Sequence, residues 1–293
     1  MCQAPTLNFY LQLCICFNPN VSEIIKRFYI CTGKGGVGKT TLSLSFSKYL
    51  SSENKKVQYT YFTNSKLEES PHIEKYKIAQ YRELGIHING LDLASCAQGY
   101  IAKKLNSKTI ASWIIRTPFF TSLINMIPGF NYVIFLGQIL QDLEDDPNLI
   151  IVLDAPASGH TLTMLEATRN FSNIFQNGAI FDDTNTMLNR MNEKDFLKIN
   201  IITIPTLLSI QEAIELKDEI SKSNTYEIEI YGNYSLKTHS NSDLPEFLTK
   251  KIENEQFALD SSTKLIPYNV DFMLSTSESS LIKDLAPSMK NLV

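Results

Sequence analysis

Short runs of consecutive apolar residues alternate along the chain with longer stretches in which apolar positions recur every three or four residues. The first kind reads as strands buried on both faces and the second as helices covering them, the pattern of a mostly parallel sheet between helical layers. Phe28 to Thr32 reads as a first strand running into a glycine-rich loop. Leu42, Leu44, Phe46, Tyr49 and Leu50 then set a helix over Thr40 to Leu50. Val57 to Phe62 is a second strand, entered through the polar turn Ser51 to Lys56. Leu149 to Leu153 is a continuous apolar run stopped by Asp154, as expected of a central strand. Ile199 to Ile204 and Tyr226 to Tyr231 read as further strands separated by a helix from about Leu207 to Ser221, and Lys264 to Ile266 as a short last strand.

The stretch between the second strand and Leu149 is too long for a loop and mostly helical in pattern, which predicts an inserted helical lobe over about residues 66–145. A chain of 293 residues buries a substantial core and sits near the upper end of a single domain. One domain is expected over 21–293. Residues 1–20 are expected to form a weakly ordered extension, apolar from Phe9 to Phe17 but without a basic start or a small-residue cleavage site.

No apolar run reaches the roughly 18 residues of a membrane span. Lys and Arg total 27 against 31 Asp and Glu, so no overall positive field exists to draw in nucleic acid, and none is expected as a partner. Lys55-Lys56 and Lys103-Lys104 read as solvated faces. The five cysteines, Cys2, Cys14, Cys16, Cys31 and Cys96, lack the spacing of a disulfide framework or a zinc site, which places the expected setting in the reducing cytoplasm.

The chemistry is concentrated in Gly33-Lys34-Gly35-Gly36-Val37-Gly38-Lys39-Thr40, which satisfies G-x-x-x-x-G-K-[ST] between a strand and a helix. Such a loop turns its N–H groups inward around phosphates, and the following helix presents its positive end. Gly33 to Thr41 are therefore assigned to ATP, with Lys39 on the β and γ phosphates and the Thr40 hydroxyl on Mg²⁺. Lys34 does not easily reach its own nucleotide and suits one bound to a facing subunit, so two such loops face to face imply a dimer. Asp154, at the carboxyl end of its strand, is expected to hold a water on Mg²⁺. Lys34, Lys39 and Asp154 form the candidate catalytic set. Ala155 to Thr161 then reads as a switch sensing the γ phosphate through Gly159, with His160 orienting it or serving structure.

Gly33 to Thr40, Asp154 to Leu162, Ile127-Pro128-Gly129-Phe130 and Ile204-Pro205-Thr206-Leu207-Leu208-Ser209 together resemble the anion-transporting ATPase family. That family includes the bacterial arsenite-pump ATPase and the eukaryotic factor that delivers tail-anchored membrane proteins. The resemblance runs from about Val21 to the C-terminus. It implies a three-layer α/β P-loop NTPase fold and a homodimer, or a heterodimer with a related ATPase, whose ATP hydrolysis drives opening and closing. It also implies adenine recognition by Asn233 and Pro267, on late strands and loops. In the lobe, Trp113 to Ile115, Pro118 to Phe120 and Leu123 to Ile127 form an apolar stretch suited either to a hydrophobic protein client or to packing on the sheet.

The chain departs from the family's pattern after the second strand and in its cysteines. Members usually carry Asp-Pro-Ala-His after the second strand, and that aspartate positions the attacking water. Here Thr60 to Leu67 holds no acidic residue before Glu68, which puts fast hydrolysis in question; Asn64 can hydrogen-bond a water but cannot take its proton. No cysteine follows Cys96, so the zinc-clasping pair of the tail-anchor factor is absent, and the arsenite-binding cysteines have no counterpart. The alternatives are a catalytically weak ATP-binding subunit of a heterodimer and a partition-type ATPase.

Overall fold

The computed structural model describes residues 25–63, 75–222, 224–236, 244–262, 265–266 and 268–293. The extension 1–20, Asn64 to Glu68, Lys264 and Pro267 lie outside the described residues.

Among the described residues seven parallel strands form the centre: β1 (Phe28–Gly33), β2 (Lys56–Phe62), β3 (His87–Leu91), β4 (Leu149–Asp154), β5 (Leu197–Thr203), β6 (Glu227–Ser235) and β7 (Tyr268–Asp271), in the order β3-β2-β4-β1-β5-β6-β7. Parallel pairing needs a long crossover between successive strands, and helices supply it.

Along β1 and β4 the side chains alternate between two apolar layers, as the two-residue period of a strand requires. Tyr29, Cys31, Ile150 and Val152 face α1 (Lys39–Ser52), α11 (Glu278–Leu285) and the final 3₁₀ turn Ala286–Leu292. Phe28, Ile30, Ile151 and Leu153 face the other layer, which includes α6 (Phe130–Asp145), α7 (Ser158–Phe175) and α9 (Leu207–Ser221). All six residues of both strands are buried, which explains why they read from sequence as continuous apolar runs.

The connection out of β1 runs toward β2 and β3, whereas the one out of β4 runs toward β5. The direction of winding therefore reverses between β1 and β4. Open α/β sheets carry their ligand crevice outside the carboxyl ends of strands at this switch point.

Two strands differ from expectation. β3 was not anticipated; it lies inside the stretch assigned to the helical lobe, and its sequence His-Ile-Asn-Gly-Leu carries few apolar residues because it is an edge strand. The last strand begins at Tyr268 rather than Lys264, and Ile266 is buried in the turn before it. The lobe range also contains α2 (Lys75–Glu83), α3 (Leu93–Leu105), α4 (Lys108–Ile115) and α5 (Pro118–Met126). Asp92 and Ser107 cap α3 and α4 by accepting from Ser95 and Ile110 amides. At its far end α6 belongs to the sheet layer, with Phe135, Leu136 and Ile139 fully buried there.

Cys31 and Cys96 are buried free thiols whose pKa burial pushes up to about 12, so both are core residues. Among the described residues, no helix is long and apolar enough to cross a membrane.

Candidate functional site

The glycine loop leaves β1 where Gly33 presses against β5: a Cβ there would lie 2.0 Å from the Ile202 carbonyl oxygen, so only glycine fits. The loop ends on Gly38, left-handed at φ 87°, which turns the chain into α1. Gly38 offers no side-chain cap, and the first turn of α1 carries no acid. The positive end of that helix therefore faces a pocket of about 460 Å³ lined by Gly35, Gly36, Lys39, Thr40, Asp154 and Tyr234, among others.

Asp154 reaches this pocket by strand parity. It pairs beside Cys31 at the end of β4 and shares the face of Ile150 and Val152, so its carboxylate meets the start of α1. The Thr40 hydroxyl donates to Asp154 Oδ2 at 2.7 Å, and the Tyr59 hydroxyl donates to the same oxygen at 2.7 Å. Oδ1 is buried and has no hydrogen-bond partner among the described residues. Burial pushes the Asp154 carboxyl above its usual range, while Thr40, Tyr59 and the Lys39 charge pull it down. A buried carboxylate oxygen without a donor is costly unless something outside the chain completes it. A divalent cation with its hydration shell fits that vacancy, and Thr40 and Asp154 are the residues that would hold it. No cluster of three or more His, Cys, Asp or Glu able to hold a metal occurs among the described residues.

Lys39 points back along the loop, its Nζ donating to the Lys34 carbonyl at 2.9 Å. Val37 is buried, and its carbonyl accepts from Asn233 Nδ2 at 2.8 Å. Asn233 thus lies within β6 rather than after it, and its amide braces the loop. A register shift between Gly232 and Ser235 brings Asn233 and Tyr234 toward the loop. Thr41 is half-buried in the first turn of α1.

Lys34 forms an ion pair with Glu212 of α9 in the same chain, at 2.5 Å. Sequence reasoning placed no partner for Lys34 within the chain, because α9 is distant in sequence and only the fold brings it to the loop.

Ser158 to Thr161 form the first turn of α7, with Gly159 and His160 exposed. Behind them Thr161 Oγ1 donates to the Pro156 carbonyl at 2.7 Å and lies 2.8 Å from Thr32 Oγ1. These buried hydroxyls tie the candidate switch to the strand that carries the loop. Tyr59, which sequence reasoning did not single out, joins the site through its position on β2; a lone tyrosine in an apolar strand gives no signal of this role.

Gly38 yields a direct expectation. A Cβ at this position would lie 2.3 Å from Asn233 Nδ2 and 2.8 Å from the Tyr234 hydroxyl, on a backbone that costs a non-glycine residue about 1–2 kcal/mol. Gly38→Ala is expected to lower nucleotide affinity about tenfold and the melting temperature by a few degrees. Calorimetric titration with ADP and a thermal melt check the two effects.

The strand-loop-helix with a lysine and threonine at its end, set beside the aspartate of the neighbouring strand, defines a P-loop nucleotide-binding protein. The chain belongs to the CobQ/CobB/MinD/ParA nucleotide binding domain family, which matches residues 28–282. It is similar to ATPase BagA of Mycobacterium tuberculosis, 23% identical over 243 residues covering 78% of this chain and 70% of that protein. It is also similar to proteins named ATPase ASNA1 homolog. The one from Plasmodium berghei is 26% identical over 87% of this chain and 65% of that protein, and the one from Plasmodium falciparum is 24% identical over 71% and 63%. These relatives bear out the resemblance to the anion-transporting ATPases.

Proposed function

We propose that the chain is an ATP-binding and ATP-hydrolysing switch that works as a dimer and couples its nucleotide state to a protein partner. The observation that carries this reading is the convergence of Lys39, Thr40 and the unpaired Asp154 Oδ1 on one pocket at the positive end of α1. Loop N–H groups cradle the phosphates, and Lys39 exchanges the Lys34 carbonyl for the β and γ phosphate oxygens. Mg²⁺, when bound, neutralises charge on those phosphates. Thr63, at the end of β2, has its hydroxyl engaged with the Leu91 carbonyl at 3.0 Å and does not act as a base. Placing the attacking water is therefore assigned to the assembled dimer or to a partner.

Lys34 supports the dimer. Its pair with Glu212 is exposed, and such pairs contribute only about 0–1 kcal/mol, so exchanging the carboxylate for a phosphate across a subunit boundary costs little. ATP is expected to drive dimerisation, measured by sedimentation, and Lys34→Ala is expected to bind ATP yet stay monomeric. A variant that dimerises unchanged overturns the dimer reading. Steady-state phosphate release, with Lys39→Ala as blank, separates an ATPase from a subunit that only binds ATP.

The lobe supplies the partner surface. Trp113, Phe119 and Met126 are 71%, 74% and 77% exposed on α4 and α5, so they are not spent on packing the sheet. Beside them opens an apolar cavity of about 460 Å³ lined by Ala97, Tyr100, Phe119, Phe120, Ile134 and Met187, among others. An apolar surface of this kind fits a hydrophobic segment of a client protein.

A further inference from the structure

We propose that Tyr59 is a positioning residue for the divalent-cation site: its hydroxyl holds Asp154 in the rotamer that presents Oδ1 to the bound cation. The proposal rests on the nucleotide reading above and goes beyond it, since the loop chemistry calls only for Thr40 and Asp154.

Tyr59 stands opposite Val152 in the β2–β4 register, and Asp154 lies two residues further along the same face. A tyrosine side chain directed along the strand spans that offset, and its hydroxyl meets Oδ2 at 2.7 Å. The ring is fully buried, packed in one apolar cluster with Leu44, Tyr81, Leu84 and Ile282. Such packing leaves the hydroxyl little freedom to point elsewhere.

Thr40 donates to the same oxygen. Two donors on Oδ2 and, among the described residues, none on Oδ1 make the two ends of the carboxylate unequal and fix its rotation about the last bond. The Thr40 donor sits at the mouth of the phosphate pocket, where the threonine oxygen must also face the cation. Tyr59 donates from inside the core and has no such second duty. Its hydroxyl keeps the aspartate oriented before any ligand arrives, so the cation meets a preformed acceptor. Groups that orient a metal's ligands in this way typically change metal affinity about 10–100-fold when removed.

Tyr59→Phe removes the hydroxyl and keeps the packed ring. Binding of ADP to the purified full chain is to be titrated against Mg²⁺ and repeated in EDTA. In the variant the Mg²⁺ concentration giving half of the Mg²⁺-dependent gain in ADP affinity is expected to rise about tenfold. Affinity for ADP in EDTA is expected to be unchanged. Equal Mg²⁺ curves for wild type and Tyr59→Phe overturn the proposal. An equal loss with and without Mg²⁺ also overturns it, because that is the signature of a merely structural tyrosine. Wild-type protein that binds no ADP in either condition overturns the nucleotide reading itself.

Discussion

Lys39→Ala is expected to weaken ATP binding about a hundredfold or more, and to abolish phosphate release with it. The lysine is the one side chain of the loop that brings a full positive charge to the floor of the pocket, where the other donors are backbone N–H groups and the end of a helix. A charge-assisted hydrogen bond contributes about 1.5–3 kcal/mol, and Lys39 is placed to make such bonds to two phosphate groups. At about 1.4 kcal/mol per tenfold, losing both reaches at least two decades in affinity. In the nucleotide-free fold the ammonium group donates to the Lys34 carbonyl at 2.9 Å. Calorimetric titration with ATP and a phosphate-release assay read the loss. Affinity within tenfold of wild type would remove Lys39 from the phosphate site.

The second large effect concerns stability. Phe135 of α6 is fully buried and stacks on Phe62 at the end of β2, with ring centroids 4.3 Å apart and planes 11° from parallel. Phe135→Ala removes the ring and leaves a cavity between the helix and the sheet, at a cost of about 3–5 kcal/mol. Set against the roughly 5–15 kcal/mol of a typical domain, this is a large share of the total. The melting temperature is expected to fall by roughly 10 °C. Phe62 is the last residue of β2, so the same substitution loosens that strand end. ADP affinity, measured well below the lowered melting temperature, is expected to hold, because the phosphate pocket lies on the opposite face of the sheet, against α1.

How much of this was legible in the sequence follows from what is local. The loop, its strand and its helix are contiguous, and glycine spacing with an apolar run before it specifies them together. β4 was legible because a strand buried on both faces has no polar alternation to blur it, and Asp154 marks its end. α9 runs over the expected Leu207 to Ser221, and Thr206 caps its start by accepting from Ser209 N at 3.4 Å. β3 escaped because an edge strand is not obliged to be apolar, and β7 was misplaced because Ile266 is buried without belonging to a strand. The pairs Lys34–Glu212 and Tyr59–Asp154 escaped for a different reason. Each joins residues far apart in sequence, and neither partner carries a local signal of the other. Asn233 was found as a residue but not in its role, since only the shift in β6 turns it onto the Val37 carbonyl.

The position of β1 has a consequence for how the chain comes off the ribosome. β1 precedes the other six described strands in sequence, yet its two neighbours in the sheet are strands that begin at Leu149 and Leu197. Until Leu149 and the residues after it emerge, β1 has no strand beside it, and until Leu197 follows, one of its edges stays open. Contacts between distant parts of a chain form slowly because the long intervening loop must close first, and an apolar strand waiting with open edges is exposed to pairing with other chains. The loop can be shaped only once Asp154 and Ile202 are in place against it, so nucleotide binding reports completion of the sheet centre rather than synthesis of the motif. A nascent chain that has finished its phosphate loop still lacks the distant strand residues, Asp154 and Ile202, that the loop packs against.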